Sequence, residues 1–275
     1  MEIPYFALLL ATLLALHSLR KKSLSPGGAA TAFFVGTLIM SGDTKVFGAA
    51  LIFFYLVGSR ATRYGKQRKA KLEDGYTEGG ERTGWQVLSN SCGALVCCVV
   101  WNALYSPESV HHVLLPLSSI SPPENLVEPG TLSRQLIFGA LGHFGCCLGD
   151  TLASELGILD GGNGPWLVTT GKRVPPGTNG GVSVGGTLAS LVGGAGVGAV
   201  MAAWGGLEMV WWGALAGGLG SLVDSMLGAT IQETRWEEQT GLIGRGKRIN
   251  GWNLLSNNQV NVVSSLVTTA WMSRM

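Results

Sequence analysis

Residues 132–155 read LSRQLIFGALGHFGCCLGDTLASE, and this stretch decides the class of fold. No Lys, Arg, Asp or Glu occurs between Arg134 and Asp150, and the run has the ~20 mainly apolar residues that a membrane-spanning helix needs. Over the whole chain of 275 residues, 46% are hydrophobic and 13% are charged, whereas soluble domains average about 25% charged. The charges crowd into a few short segments. The sequence therefore predicts an integral membrane protein.

Seven further apolar segments flank this stretch. They are Ile3–Leu19, Gly28–Met40, Val46–Gly58, Gln86–Leu104, Val182–Trp204, Met209–Ile231 and Leu254–Trp271. The second and third are short and could form one broken or re-entrant hairpin around a turn at Gly42 and Asp43. We therefore predict an all-α polytopic bundle of about eight spans, within a range of about six to eight, as a single membrane domain over residues 1–275.

The distribution of positive charge predicts the orientation of the chain. When the chain is threaded through these spans, all but three of its 19 Lys and Arg residues fall on one side. The other side keeps Lys45, Arg134 and Arg274. Positive residues stay cytoplasmic during insertion, so the rich side is predicted to be the cytosol. It carries a basic loop at residues 59–85, and the opposite side carries a Pro-containing loop at residues 105–131.

Charge, cysteine and histidine content argue against several classes of protein. A net charge of +2 gives no support for a nucleic-acid partner. The five cysteines lie in apolar segments without a CxxC pair, which predicts packed thiols instead of disulfides or a zinc site. His111 and His112 are predicted to lie in a solvated loop, and His143 to be a buried packing residue. Positive charge follows the Ile3–Leu19 segment instead of preceding it, which favours a retained span over a signal peptide.

Small residues recur along one face of two predicted spans. The stripes are Gly186, Ser190, Gly194, Gly198 and Ala202 in the first, and Gly213, Gly217, Gly220, Asp224 and Gly228 in the second. Stripes of this kind let helix backbones approach closely inside a membrane bundle. Close packing explains the glycines, but it does not explain an acidic residue at position 224.

Four polar clusters are predicted to lie near the cytosolic ends of spans. They are GDTLASE at 149–155, PPGTNGGVS at 175–183, GSLVDS at 220–225 with its continuation to Gln232, and NNQVN at 257–261. Acids and amides at membrane depth are costly, and they tend to line a site or a pathway. Asp150, Glu155 and Asp224 are hard oxygen ligands suited to Mg²⁺, so we predict them as catalytic and metal-binding residues.

The same clusters contain groups suited to phosphate. The Asn179-Gly180-Gly181 turn is predicted to open a helix whose free N–H groups and dipole could hold an anion. Lys69, Lys71, Lys172 and Arg173 could neutralise phosphate charge, although the basic stretch at 66–71 could instead attract anionic lipid headgroups. The other predicted substrate- or nucleotide-binding residues are Thr178, Ser183, Ser225, Gln232, Asn257, Asn258 and Asn261. Such a set is sufficient for phosphoryl transfer, which needs mostly positioning and charge neutralisation.

Six motifs carry a resemblance to a known family. They are KQRKAKLED (66–74), GWQVLSN (84–90), GDTLASELG (149–157), VPPGTNGGVSVGGTLAS (174–190), GSLVDSMLGATIQ (220–232) and NNQVN (257–261). In this order the chain resembles the transmembrane protein 19 family, which includes plant phytyl-phosphate kinase and many bacterial and archaeal membrane proteins. The resemblance implies a kinase that converts a prenyl monophosphate to the diphosphate, with CTP as the donor and an isoprenoid phosphate and the bilayer as partners.

Three further expectations stay open. No plastid transit peptide is recognised, which favours farnesyl or geranylgeranyl phosphate over phytyl phosphate and the endoplasmic reticulum or another endomembrane over a plastid. A non-enzymatic transporter or channel is the alternative, favoured by the Gly-rich helices and by Asp224 within a span. Cytidylyl transfer to a lipid phosphate would use similar residues and would release pyrophosphate.

Overall fold

The computed structural model describes residues 3–69, 81–159 and 164–275, which form mainly helices. The helices are α1 (Tyr5–Arg20), α2 (Pro26–Met40), α3 (Val46–Arg63), α4 (Lys66–Lys69), α5 (Gly84–Ser89), α6 (Cys92–Tyr105), α7 (Val110–Leu114), α8 (Leu132–Gly157), α9 (Val184–Gly205), α10 (Glu208–Ile231) and α11 (Asn257–Met272). The strands are β1 (Trp166–Leu167), β2 (Gly181–Val182), β3 (Thr234–Glu237), β4 (Leu242–Ile243) and β5 (Lys247–Asn250). The helical membrane bundle is confirmed, and short strands are added to it.

Helices occupy all eight predicted spans. In the described ranges, α3, α8, α9 and α10 are the four helices long and apolar enough to cross a membrane. Helices α1, α2 and α6 are shorter apolar helices, and α11 has 16 residues. The second and third predicted spans form separate helices, and α3 continues past the predicted end at Gly58 to Arg63. The first part of the predicted basic loop is therefore helical.

The predicted span at Gln86–Leu104 is broken near its start. Helix α5 ends at Ser89 and α6 begins at Cys92. A capping box fixes the start of α5: Gln86 N donates to Thr83 Oγ1 (3.4 Å), and Thr83 N donates to Gln86 Oε1 (2.8 Å). The break directs the polar residues Gln86 and Asn90 toward the interior of one end of the bundle.

Helix α8 lies at the centre of the bundle, and glycines bring its neighbours close. A Cβ atom on Gly149 would lie 2.6 Å from the Cα atom of Gly217 in α10. A Cβ atom on Gly194 of α9 would overlap the carbonyl oxygen of Gly213 in α10. The predicted small-residue stripes therefore serve helix packing, which in a bilayer depends on close van der Waals contact.

One end of the bundle is held together by ion-pair and terminal contacts. Arg134, at the start of α8, donates to Glu208 Oε1 (2.8 Å) at the start of α10. Its Nε also donates to the backbone oxygen of Met275 (3.0 Å). Asp43 N donates to Asn102 Oδ1 (2.9 Å) at the same end. The polar clusters lie at the other end, as the threading predicts.

Two histidines, His111 and His143, are buried in the bundle, and this burial was predicted for only one of them. His111 is fully buried, and its Nε2 lies 2.8 Å from the carbonyl oxygen of Leu38, so its placement in a solvated loop was wrong. Helix α7, capped by Ser109, turns this side chain into the bundle, where burial lowers the pKa of the imidazole. His143 is fully buried as predicted, and it packs edge-on against Phe144.

Candidate functional site

A polar cavity of about 880 Å³ lies at one end of the bundle. It is enclosed by the end of α8, the starts of α9 and α11, the second half of α10 and the turns before α5 and α9. Fourteen predicted site residues line it: Lys69, Asp150, Glu155, Thr178, Asn179, Gly180, Gly181, Ser183, Asp224, Ser225, Gln232, Asn257, Asn258 and Asn261. All four polar clusters therefore meet in one space.

Two aspartates from neighbouring helices, Asp150 of α8 and Asp224 of α10, line the cavity. Ser221 Oγ donates to Asp150 Oδ1 (3.2 Å), and Ser264 Oγ donates to Asp224 Oδ2 (2.8 Å). Asp224 is only 8% exposed. In the described part of the chain neither aspartate forms an ion pair. A pair of carboxylates held only by hydroxyl groups is suited to bind a cation.

The aspartates come together because α8 and α10 cross at their glycines. The crossing joins Gly149 to Gly217, and a Cβ atom on Gly220 would lie 2.6 Å from Cys146 Sγ. Asp150 directly follows the contact glycine Gly149, and Asp224 lies four residues after Gly220. Both side chains line the same cavity.

Glu155 has a different partner. Its Oε2 accepts from Lys69 Nζ at 2.6 Å, and Lys69 also donates to the backbone oxygens of Ala61 (3.2 Å) and Thr62 (3.5 Å) near the end of α3. The Lys69 side chain is only 4% exposed. Within the described ranges no group of three or more His, Cys, Asp or Glu side chains is arranged to hold a metal ion. The predicted three-carboxylate set is therefore not formed, because Glu155 pairs with Lys69.

Arg82 is a site residue that the sequence reasoning missed. Its Nη2 donates to Thr62 Oγ1 (3.2 Å), and the side chain lines the cavity. Its backbone is held by the turn before α2: Arg82 N donates to Ser23 O, and Ser25 N donates to Arg82 O, both at 3.1 Å. Burial lowers the pKa of the guanidinium, and the Glu155 carboxylate acts in the opposite direction. In the sequence Arg82 is one of several positive residues of the basic loop. Its position next to the GWQVLSN motif was the only feature that indicated a role in the site.

The Asn179-Gly180-Gly181 turn is not the open anion cradle that was predicted. Asn179 N donates to Thr234 Oγ1 (3.1 Å), Asn179 Nδ2 donates to Glu233 O (3.2 Å), and Gly181 N donates to Thr178 O (2.9 Å). Gly180 adopts a positive φ of 77°, and a Cβ atom there would lie 2.6 Å from the backbone nitrogen of Ala229. The turn therefore fastens the cavity rim to α10 and β3.

The helix that follows the turn also differs from the prediction. Helix α9 begins at Val184, after strand β2, so the turn does not open it directly. Ser183 caps the helix and accepts from Gly186 N (3.0 Å). Strand β2 pairs antiparallel with β1, which fixes the direction in which α9 leaves the rim.

The predicted phosphate-binding cations after α8 do not line the cavity. Arg173 places its guanidinium carbon 3.5 Å from the centre of the Trp166 ring and donates to the carbonyl oxygen of Gly164. Lys172 is exposed, and its carbonyl oxygen accepts from Leu167 N (2.8 Å). The short β1 turn carries both residues outward. Lys71 lies outside the described residues.

Amides and hydroxyls complete the polar wall. Asn257, Asn258 and Asn261 enter from the first turns of α11, and Asn261 Oδ1 is buried without a hydrogen-bond partner in the described part of the chain. The lining polar side chains that were not predicted as site residues are Thr62, Gln86, Asn90, Thr151, Ser154, Thr187, Ser190 and Ser221. Several of these residues belong to the quoted motifs and lie one or two helical turns from an aspartate. That spacing is the sequence feature that could have identified them as site residues.

Leucines form the remaining side of the cavity. Leu215, Leu219 and Leu222 of α10 and Leu191 of α9 line it. The structure therefore defines a class of protein: a helical bundle with membrane-spanning helices, a polar cavity at one end and an apolar cavity wall formed by α9 and α10.

Comparison with known proteins gives the family. The chain belongs to the family described as integral membrane protein DUF92, which matches residues 9–269. This confirms the resemblance to the transmembrane protein 19 family and the multi-pass membrane location. No solved structure matches the chain.

Curated relatives include proteins of a plant and of a cyanobacterium. Protein PGR of Arabidopsis thaliana is 36% identical over 282 residues, which cover 96% of this chain and 93% of that protein. An uncharacterized membrane protein of Synechocystis sp. is 28% identical over 264 residues, or 94% of this chain and 85% of that protein. Protein VTE6, chloroplastic, of Arabidopsis thaliana is 27% identical over 173 residues, or 62% of this chain and 44% of that protein.

Proposed function

We propose that this protein is a Mg²⁺-dependent kinase that converts a prenyl monophosphate to the diphosphate. The observation that carries the proposal is the cavity itself, which is lined by two aspartates without ion-pair partners in the described ranges and by the cations Lys69 and Arg82. Phosphoryl transfer needs little covalent chemistry from a protein, because positioning and charge neutralisation supply most of the catalysis.

The residues present fit a magnesium ion. Mg²⁺ binds through one or two carboxylates together with substrate phosphates and water, so Asp150 and Asp224 are sufficient without a third acid. Both carboxylates are already oriented by serine hydroxyls, and the unpartnered Asn261 Oδ1 lies in the same cavity. Asp150 and Asp224 would hold the ion, which would supply positive charge to offset that of the phosphate groups.

The γ-phosphoryl group would pass from the nucleotide to the prenyl phosphate while cations of the protein hold the phosphates. A phosphate oxygen of the prenyl monophosphate forms a bond to the γ-phosphorus of the nucleoside triphosphate. The bond from that phosphorus to its bridging oxygen breaks, and the nucleoside diphosphate leaves with the electron pair. Arg82 would bind one phosphate by a forked pair of hydrogen bonds, as guanidinium groups do. Glu155 would keep Lys69 in position at the edge of the same cavity.

CTP is the proposed donor, and farnesyl, geranylgeranyl or phytyl monophosphate is the proposed acceptor. The family resemblance supports both choices. The endoplasmic reticulum or another endomembrane is the proposed location, and the name of the chloroplastic relative makes a plastid membrane the alternative. Fluorescence microscopy of the tagged full-length protein distinguishes the two.

Turnover by the purified protein in detergent tests the proposal. The assay supplies Mg²⁺, each nucleoside triphosphate in turn and a panel of prenyl monophosphates, and chromatography identifies the product. We expect diphosphate with one donor, and loss of at least ~100-fold of the activity in Asp150→Asn and Asp224→Asn, since each change removes a charged ligand without changing the side-chain shape. Asp43→Asn, at the opposite end of the bundle, is the matched control.

Other products would identify other functions. A prenyl nucleotide with release of pyrophosphate would establish cytidylyl transfer. Normal turnover in both aspartate variants would remove Asp150 and Asp224 from the mechanism. No product from any pair, with folded protein shown by a cooperative thermal transition, would favour the transport alternative.

A further inference from the structure

Three leucines on one face of α10 line the cavity and are also exposed at the surface of the bundle. Leu215, Leu219 and Leu222 are 43%, 44% and 41% exposed. Their spacing of four and three residues places them on one helical stripe. Because α10 is long and apolar enough to cross a membrane, an apolar surface on it that other helices leave uncovered is suited to contact acyl chains.

A cleft lies between the leucine face of α10 and helix α9, and α9 forms its other wall. Thr187 and Leu191 line the cavity from that side. Gly218 lies on the same face of α10 as the three leucines. It lets α9 approach closely, because a Cβ atom on Gly218 would lie 2.6 Å from Leu191 Cδ2. Apart from Thr187, the lining of the cleft between α9 and α10 is apolar, and the cleft is continuous with the polar cavity.

The polar end of the cavity begins within one helical turn of the leucines. Asp224 and Ser225 follow Leu222 on the same helix and line the same space. A charged group crosses the apolar part of a bilayer only at high cost, whereas an apolar chain stays there at no cost. A water-soluble substrate could reach the polar end directly and would have no use for a leucine wall.

We propose that the cleft between α9 and α10 is a lateral entrance that holds the prenyl chain of the substrate while its phosphate occupies the polar cavity. The proposal rests on the proposed function for the identity of the head group. It assigns chain recognition to Leu191, Leu215, Leu219 and Leu222, and it makes the bilayer the source of the substrate.

Steady-state kinetics with two chain lengths test the assignment. In Leu219→Trp the added ring fills the cleft, so the KM for geranylgeranyl monophosphate is expected to rise ~10-fold or more, the size of effect that a misfitted apolar pocket gives. The KM for dimethylallyl monophosphate, whose chain ends before the leucines, stays unchanged. Leu188→Trp is the matched control, because Leu188 is a lipid-exposed leucine of α9 that does not line the cavity. Equal effects of the two tryptophan substitutions would overturn the proposal.

Photolabelling gives a readout that does not require turnover. A farnesyl monophosphate with a diazirine at the end of its chain is bound to the full-length protein in nanodiscs, irradiated and mapped by mass spectrometry. Label on the 215–222 segment that unlabelled monophosphate displaces supports the entrance, even if no kinase product forms. Turnover with label confined to the small apolar cavity among α1, α2 and α3, which Ala11 and Leu14 line, would overturn the entrance and leave the kinase intact. Neither label nor turnover would overturn both.

Discussion

The site cations Lys69 and Arg82 differ in how far other groups of the protein already balance their positive charge. Lys69 donates to Glu155 and to two backbone carbonyls near the end of α3, so its charge is balanced within the protein. The guanidinium of Arg82 donates to the neutral hydroxyl of Thr62, and its backbone is fixed on both sides by Ser23 and Ser25. A cation that is held in place but not fully compensated is prepared to bind an anion.

Replacing Arg82 is expected to weaken phosphate binding without unfolding the bundle. In Arg82→Ala the KM for one substrate should rise by about 10- to 100-fold, because a hydrogen bond to a charged group is worth about 1.5–3 kcal/mol. Arg82→Lys should recover only part of the loss, since lysine keeps the charge but not the forked geometry. Initial-rate kinetics measure both effects.

The matched control is Arg63→Ala. Arg63 lies in the last turn of α3 and does not line the cavity. A loss of thermal stability in Arg82→Ala with an unchanged KM would show that the Arg82 side chain serves the contact with Thr62 in α3 and not the substrate.

At the scale of the elements, helices α8, α9 and α10 depend on glycine for their separation. Gly194 and Gly213 face each other, and Gly149 faces Gly217, so the three backbones approach more closely than side chains would allow. Their contact sets the point where the helices diverge, and that divergence creates the cavity. Packing and site geometry are therefore coupled through the same glycines.

A methyl group at this contact is expected to destabilise the bundle. In Gly194→Ala the new Cβ atom overlaps the carbonyl oxygen of Gly213, and overpacking of this kind costs about 1–3 kcal/mol. Thermal unfolding in detergent, followed by tryptophan fluorescence, should show a lower Tm. Gly27→Ala is the control, because no atom lies within 4 Å of its added Cβ and alanine favours the helix. An unchanged Tm in Gly194→Ala would contradict the close approach of α9 and α10.

At the scale of the whole molecule, the two ends of the bundle differ in charge and in contents. The cavity end carries the basic segments, and the opposite end carries Arg134, Glu208 and the residues 105–131. Beyond the cavity the core is filled by side chains such as Phe138, Phe144 and Met201, all fully buried. The cavity therefore lies at one end of the helical bundle and not at its middle.

Cysteine labelling tests the orientation. Lys247→Cys and Ser119→Cys are made in a Cys92→Ser background, because the other four native cysteines are buried. Both substituted positions are exposed. In sealed vesicles with the cytosolic face outward, a membrane-impermeant maleimide is expected to label Lys247→Cys at once and Ser119→Cys only after detergent. The reverse order would place the cavity on the non-cytosolic side and exclude a cytosolic nucleotide as donor.

The sequence by itself determined the membrane class, the approximate positions of the apolar helices and the residues of the four polar clusters. Hydropathy, chain length and the placement of Lys and Arg are local properties, and the bilayer imposes a fixed thickness and a fixed side on each span. The small-residue stripes could be read in the same way, because their helical period lies within one segment.

Only the tertiary structure decided which polar groups of the site are free. Asn179 is occupied by Thr234, 55 positions away, and Lys69 is bound by Glu155, 86 positions away. Contacts within its own hairpin hold Arg173 away from the cavity, whereas contacts with the turn before α2 hold Arg82 at the cavity. A hydrogen-bond donor is available to a ligand only if no protein partner takes it, and that partner is set by packing between segments that are distant in the chain.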